Sequence, residues 1–367
     1  MHKQLPTLLK SGLWGKRPEE LAGFPLSTER WRELLEQARR QTVVGIVYQG
    51  IMMLPEELMP PEPILIRWVA EVDRIEQNNR RMNRALKVLL ALYRDNDIHP
   101  TVMKGQGIAE MYDTPSLREC GDIDLYFDNQ QEGEKAIALL HERGISYEVH
   151  ADKSICYTWM GVEVEHHTEL VDLHSPKNRR YAEQLIKEQG YTQITTLEGV
   201  EMRVASAPVN LLMQSTHILK HALGKGVGMR QLCDMARTYH HLHGQIDLTT
   251  LQEIFAAVGL QRWNVLLHTF LTDELGLPHE QQPYRTLIPI DTSPLLHIID
   301  KGGNFGQHRT HAQKRSRLRT VLCFWEQRGF AWRYARKEAV WMVVRLLKVK
   351  GAQPHPTPHT PNHNHNP

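Results

Sequence analysis

Cysteines and long apolar runs are scarce in this chain of 367 residues. Its four cysteines lie far apart, and none belongs to a Cys-x-x-Cys pair. At this length such sparse cysteines exclude a disulfide scaffold, so we expect reduced thiols and a cytoplasmic protein. No run approaches the roughly 18 to 20 consecutive apolar residues that cross a membrane. We therefore expect no membrane span, and the first residues do not have the pattern of a secretion signal.

Net charge is low as well. A formal charge of +2 does not provide the basic track that long nucleic acid requires, so we do not expect long nucleic acid as a partner. Apolar residues make up 41% of the chain, enough to build hydrophobic cores. The length itself predicts two or three domains.

Hydrophobic periodicity divides the chain into three regions and a tail. Residues 1–95 have a helical pattern, residues 96–204 a mixed one, and residues 205–350 a helical one again. Residues 351–367 contain no apolar core material and should be disordered. The pattern predicts an α+β protein whose small central core is flanked by N- and C-terminal helical regions.

Two helices illustrate the pattern at the ends of the chain. Ser27 offers an N-cap oxygen ahead of apolar residues at helical spacing, which are Trp31, Leu34, Leu35 and Ala38. Residues 311–349 read as a basic amphipathic segment. Packing against the helical region and contact with an anionic partner or lipid surface are both open for that segment.

The central region contains the alternation of apolar and polar residues that is typical of a β-strand. It is clearest in Ile123-Asp124-Leu125-Tyr126-Phe127. Residues 131–143 have a helical pattern, and three β-like runs follow near 145–150, 155–160 and 162–169.

Asp122 and Asp124 are the first candidates for chemistry. On a strand, side chains at i and i+2 leave the same face, with Cα atoms about 7 Å apart. Two neighbouring carboxylates repel one another unless a cation lies between them, and Mg²⁺ prefers such hard oxygen ligands. The alternative is a solvated face of an edge strand, which the apolar residues of the alternation disfavour.

Flanking segments supply further candidates. The Lys104-Gly105-Gln106 turn could hold phosphate oxygens on its backbone N–H groups. A third carboxylate could come from Glu163, Glu165 or Asp172, and it would complete a two-metal site or act as a general base. We favour Glu165, because the Glu-x-His spacing also places His167 beside it.

Two histidines and an arginine are the remaining candidate site residues. His217 and His221 are four residues apart, so they share one helix face. They could contact nucleotide phosphates, act as satisfied interface histidines, or ligate zinc. Arg118 could stabilise a triphosphate, or it could pair with Glu119 or Glu110.

Two adjacent motifs resemble those of a known family. The runs K-G-x-G-I-A-x-x-Y and L-R-x-x-G-D-I-D-L are similar to the bacterial uncharacterised nucleotidyltransferases, a branch of the polymerase-beta-like superfamily. Later runs at 162–167, 228–234 and 302–306 also resemble that family. The resemblance covers about residues 30–345 and implies a mixed sheet with flanking helices. It also implies dependence on one or two Mg²⁺ ions and nucleotidyl transfer from an NTP such as ATP.

The resemblance assigns roles to individual residues. Asp122 and Asp124 match the paired metal ligands of the superfamily, and Gly105 matches the glycine of its phosphate-holding turn. The usual Gly-Ser of that turn is replaced by Gly105-Gln106, and Lys104 is a candidate substitute contact.

Together these patterns predict an enzyme. Asp122, Asp124 and Glu165 would hold Mg²⁺ and an NTP, and a nucleoside monophosphate would move to an acceptor hydroxyl on a small molecule or protein. Glu165 would orient or deprotonate that hydroxyl. The alternative is a catalytically inactive module that senses a nucleotide or binds a partner, which the altered Gly105-Gln106 turn favours.

Overall fold

The computed structural model describes residues 3–150, 152–224, 226–284, 289–302 and 324–348. The predicted disordered tail at 351–367 lies outside these residues, as do positions 311–323 and 349 of the predicted basic segment and positions 303–306 of the last family-like run. Among the described residues, no helix combines the length and apolar composition needed to cross a membrane.

The helices of the N-terminal region and the sheet domain come first in the chain. They are α1 (Gln4–Trp14), α2 (Thr28–Gln41), α3 (Val44–Ile51), α4 (Glu62–Arg94), α5 (Gln106–Ala109), α6 (Gln130–Glu142) and α7 (Pro176–Gln189). The remaining helices are α8 (Ala207–Leu223), α9 (Met229–His241), α10 (Leu248–Ala257), α11 (Gln261–Asp273), α12 (Ser293–Gly302), α13 (Arg328–Tyr334) and α14 (Arg336–Lys348).

Seven strands form one mixed sheet. They are β1 (Thr101–Val102), β2 (Ile123–Tyr126), β3 (Tyr147–Val149), β4 (Ile155–Trp159), β5 (Val162–His167), β6 (Tyr191–Thr195) and β7 (Glu201–Ala205). Their order across the sheet is β3-β4-β5-β2-β1-β7-β6. The β2–β5 and β1–β7 pairs are parallel and the other four are antiparallel. Strand β2 therefore lies near the middle of the sheet, with neighbours on both sides.

Local sequence signals explain the start of α2 and the position of β2. The Ser27 hydroxyl accepts a hydrogen bond from the Arg30 N–H, so the N-cap predicted for α2 is confirmed. In β2 the side chains of Ile123 and Leu125 are fully buried. The alternation of this strand thus packs its apolar residues against the core, as the sequence predicts.

Two hydrophobic cores hold the protein together. One packs the sheet against the second half of α4 and against α6, through residues such as Leu86, Leu125 and Leu140. The other is helical and includes Trp31 near one end of the chain and Trp263 near the other. The N- and C-terminal helical regions therefore share a single core.

The predicted α+β class, with a mixed sheet between helical regions, is confirmed. The predicted division at residues 95 and 204 stays a prediction. Strand β1 has only two paired residues, and β5 ends at His167, two residues short of the run predicted near 162–169. Helix α7 and the β6–β7 hairpin were not predicted from the sequence.

Candidate active site

Asp122 and Asp124 lie at the start of the central strand β2. Asp124 is 8% exposed, and its backbone carbonyl accepts a hydrogen bond from the Met103 N–H at 3.0 Å. This bond continues the short β1–β2 pairing toward the Lys104-Gly105 turn. The sheet thus brings the predicted aspartate pair and the predicted glycine turn together.

The electrostatics of the pair are asymmetric. The charge of Asp124 and burial raise the pKa of Asp122 to about 6, and they outweigh the opposite effect of Lys104. Burial also raises the pKa of Asp124, but Lys104 and His167 more than offset this and hold it well below the usual range. Asp124 therefore carries the charge, and a second charge on Asp122 is disfavoured while no further cation is present.

The parallel β2–β5 pairing supplies a third carboxylate. Its register places Asp124 opposite Glu165, and Tyr126 opposite His167. The Nε2 atom of His167 lies 2.5 Å from Asp124 Oδ1 and 3.9 Å from a Glu165 oxygen. Ligand atoms of Asp124, Glu165 and His167 all lie within 4.8 Å of one another, so one ion could contact all three.

The other two candidates for the third carboxylate lie elsewhere. Glu163 is exposed on β5, and within the described residues it belongs to no group of three metal-ligating side chains. Asp172 is engaged by α8, because its two oxygens contact Lys220 Nζ at 2.6 Å and His217 Nδ1 at 2.9 Å. The position of Glu165 supports the choice made from the sequence.

The turn before α5 borders the aspartates. Lys104 Nζ lies 3.4 Å from Asp124 Oδ2. Gly105 has φ 54° and ψ −116°, a conformation that strongly favours glycine. The Gln106 side chain is 3% exposed, and neither its amide nitrogen nor its amide oxygen has a hydrogen-bond partner among the described residues. A buried amide without partners is costly, so this turn is a candidate ligand contact.

Helix α8 brings two histidines near Lys104 and the aspartates. The rings of His217 and His221 are 4.5 Å apart in an edge-on arrangement. Burial and the nearby charge of Lys104 lower the pKa of His217 to about 4. His217 in turn helps to lower the pKa of Asp124, which places it within electrostatic reach of the aspartate pair. A nucleotide contact for either histidine stays a prediction.

Arg118 is buried in the interior, with 4% exposure. Its Nε and Nη2 atoms donate to the two carboxylate oxygens of Asp234 on α9 at 3.0 and 2.7 Å. Its partner is therefore neither Glu119 nor Glu110. Tyr112 donates a further hydrogen bond to Asp234 at 2.8 Å. This network ties the segment before β2 to α9 and favours a structural role for Arg118.

Arg230 is a residue that the sequence did not single out for the site. Its Nη1 atom donates to the Glu119 carbonyl at 2.7 Å, and its charge helps to lower the pKa of Asp122. Arg230 lies in the run Gly228-Met229-Arg230, which resembles the family and could have drawn attention to it. The sequence gives no spacing that would place this residue near β2.

Comparison with known proteins identifies the family of the chain. No curated protein and no solved structure matches the chain. A family model described as "uncharacterised nucleotidyltransferase" matches residues 27–275, which include the aspartate pair, Glu165 and helices α8 and α9. The chain therefore belongs to the uncharacterised nucleotidyltransferase family.

Proposed function

We propose that this nucleotidyltransferase uses Mg²⁺ and transfers a nucleoside monophosphate from an NTP to an acceptor hydroxyl. The observation that carries the proposal is the pairing of Asp124 and Glu165 on adjacent parallel strands, with Asp122 just before β2 and Lys104 in ion-pair contact with Asp124.

The residues fit a divalent metal ion. Asp122 has a pKa of about 6 because Asp124 lies beside it in a buried position. A dication bound to both would remove that repulsion, and carboxylate oxygens are the ligands that Mg²⁺ prefers. When bound, Mg²⁺ would supply positive charge for the triphosphate and for the departing pyrophosphate.

The protein's own residues would perform the other tasks. Lys104 contacts Asp124 in the structure, and its ammonium could also bind a phosphate oxygen. The buried Gln106 amide would offer both a donor and an acceptor to the nucleotide. Glu165 would accept the proton of the acceptor hydroxyl as its oxygen bonds to the α-phosphorus and the bond to the β-phosphate breaks. His167 would orient Asp124 through their hydrogen bond.

The first test is calorimetry of the four NTPs with and without Mg²⁺. We expect one or more NTPs to bind only with Mg²⁺, and binding to be lost in the Asp122→Asn/Asp124→Asn variant. Asp128→Asn is the matched control, because Asp128 follows the same strand but pairs with Arg203 at 3.1 Å. Pyrophosphate release in the presence of candidate acceptors follows.

The outcomes separate the alternatives. Metal-dependent binding without turnover for any acceptor class would support an inactive nucleotide sensor. Equal binding by the double variant, or no binding by the wild type, would contradict the proposed site.

A further inference from the structure

A row of polar side chains crosses one face of the sheet beyond the aspartates. The register places Cys156 on β4 opposite Glu165 on β5, and Glu165 opposite Asp124 on β2. Side chains directly opposite one another in adjacent strands lie on the same face. The face that carries the aspartate pair therefore continues to a buried thiol.

The β3–β4 hairpin brings a histidine to this thiol. The His150 N–H donates to the Ser154 carbonyl at 2.8 Å, and Asp152 Oδ1 accepts from the Ser154 N–H at 3.1 Å. These bonds hold His150 and Ser154 in place just beyond the β3–β4 ladder. The Nδ1 atom of His150 lies 3.6 Å from Cys156 Sγ.

We propose that His150, Cys156 and Glu165 form a second metal site, selective for Zn²⁺ or a similar divalent transition metal. Ligand atoms of the three residues all lie within 4.8 Å of one another. With Zn–S near 2.3 Å and Zn–N near 2.1 Å, tetrahedral ligands would be separated by about 3.6 Å. The sulfur–nitrogen distance in the structure has this value without any rearrangement.

Charge and ligand type both favour such an ion over Mg²⁺. A thiolate and a carboxylate bring two negative charges, which a dication neutralises, and the imidazole binds in its neutral form. Thiolate and imidazole are softer ligands than the oxygens that hold Mg²⁺. Three protein ligands leave a fourth position for water or another ligand.

The position of the site indicates what the ion would do. Strand β3 is exposed along its whole length and pairs only with β4. A metal bound to His150, Cys156 and Glu165 would link the end of this edge hairpin to the interior strand β5. Glu165 lies between Cys156 on β4 and Asp124 on β2, so the ion would bind Glu165 from the β4 direction and leave its β2 side facing Asp124.

Cobalt(II) substitution in the full-length protein tests the proposal. A thiolate bound to Co²⁺ gives a near-ultraviolet charge-transfer band, whereas histidines alone, including those of the C-terminal tail, do not. We expect the band in the wild type and its loss in Cys156→Ser. Competition with a chromophoric chelator measures Zn²⁺ affinity. In Cys156→Ser it should fall by more than roughly 10- to 100-fold, which is the loss expected when only an outer-shell partner is removed.

Two cysteine variants serve as controls. Cys120 has the same exposure as Cys156, 8%, but its thiol contacts Arg118, so Cys120→Ser should keep the band. Cys323 lies outside the described residues, and Cys323→Ser should keep it too. His150→Ala should weaken Zn²⁺ binding without affecting the other thiols.

Other results would overturn the site. No thiolate band in the wild type at saturating Co²⁺ would mean that Cys156 and His150 form only a hydrogen bond. A band that survives in Cys156→Ser would place the metal elsewhere. The test is independent of the proposed function, because Asp122→Asn/Asp124→Asn should lose nucleotide binding and keep the cobalt band.

Discussion

Asp124 and Asp172 are two carboxylates that each contact one histidine and one lysine. Asp172 is satisfied by this arrangement. One oxygen accepts from Lys220 at 2.6 Å and the other contacts His217 at 2.9 Å. Burial raises its pKa, but Lys220 and His217 outweigh burial and hold the pKa well below the usual range. A single carboxylate beside a single ammonium has no need of a further cation.

The surroundings of Asp124 carry an excess of negative charge. Lys104 lies 3.4 Å away, and His167 is closer, at 2.5 Å. Asp122 and Glu165 add two more carboxylates to the same cluster. Among the described residues Lys104 is in ion-pair contact with Asp124 alone, and a divalent ion held among the three carboxylates would balance the negative charge that Lys104 does not. The comparison separates an aspartate that holds the structure together from the one that we propose binds metal.

The largest effect should come from replacing Asp124, the proposed metal ligand. Asp124→Asn should lower nucleotidyl transfer by about 1,000-fold, because it removes charge where the phosphates carry theirs. Pyrophosphate release measures this. Circular dichroism at the assay temperature should show a folded variant, so that loss of folding is not the cause even though Asp124→Asn weakens the contacts with Lys104 and His167. Turnover within tenfold of the wild type would contradict the assignment.

Asp234 is a third aspartate that can be compared with Asp124 and Asp172. Asp234 is paired with Arg118, and the side chains of both are almost completely buried, at 6% and 4% exposure. Arg118→Leu should lower the free energy of unfolding by about 3 kcal/mol, because it leaves a buried carboxylate without its partner. Urea denaturation measures the loss. If stability were unchanged while NTP affinity fell, Arg118 would be the phosphate contact that the sequence suggested.

Asp172→Asn should have a smaller structural effect. We expect a loss of about 1 to 2 kcal/mol in the free energy of unfolding, because the Lys220 side chain is 42% exposed and can turn to solvent. The folded pKa of Asp172 is depressed, so its contribution is present above the unfolded pKa near 4 and is lost as pH falls below it. Denaturation between pH 3 and pH 8 would reveal this. A stability difference between wild type and variant that stays the same from pH 8 down to pH 3 would contradict it.

The smallest effect should be a gain, rather than a loss, in the free energy of unfolding. Asp122→Asn removes the repulsion with Asp124 and should raise the free energy of unfolding by about 1 kcal/mol at pH 7.5 without divalent ions. Asp128→Asn is the control just after the same strand, and it should not stabilise the protein because Asp128 is paired with Arg203. A destabilised Asp122→Asn variant would show that the pair does not repel as inferred.

The parts of the site that follow from local pattern could be predicted. The i and i+2 spacing of Asp122 and Asp124 places them on one strand face, and the family resemblance adds the glycine turn. Glu165 was chosen for its spacing to His167, and the structure places both beside Asp124.

The parts that depend on distant pairing could not be predicted. The partner of Arg118 is 116 residues away, and the partner of His217 is 45 residues away on a loop. No periodicity encodes these contacts, because they depend on how α8 and α9 pack against the sheet. The β6–β7 hairpin was missed for a related reason. Its polar positions, such as Gln193 and Arg203, obscure the alternation.

The shared helical core has a consequence for how the chain is made. The Gln41 amide donates to the Ile299 carbonyl, 258 residues later, and the Trp14 indole donates to the Leu275 carbonyl, 261 residues later. Helices α1 and α2 therefore cannot complete their burial until about 260 further residues have been synthesised. Contacts of such long range slow folding and leave apolar surface exposed meanwhile. Chaperone dependence during synthesis, and failure of N-terminal fragments to stay soluble, are the expected results.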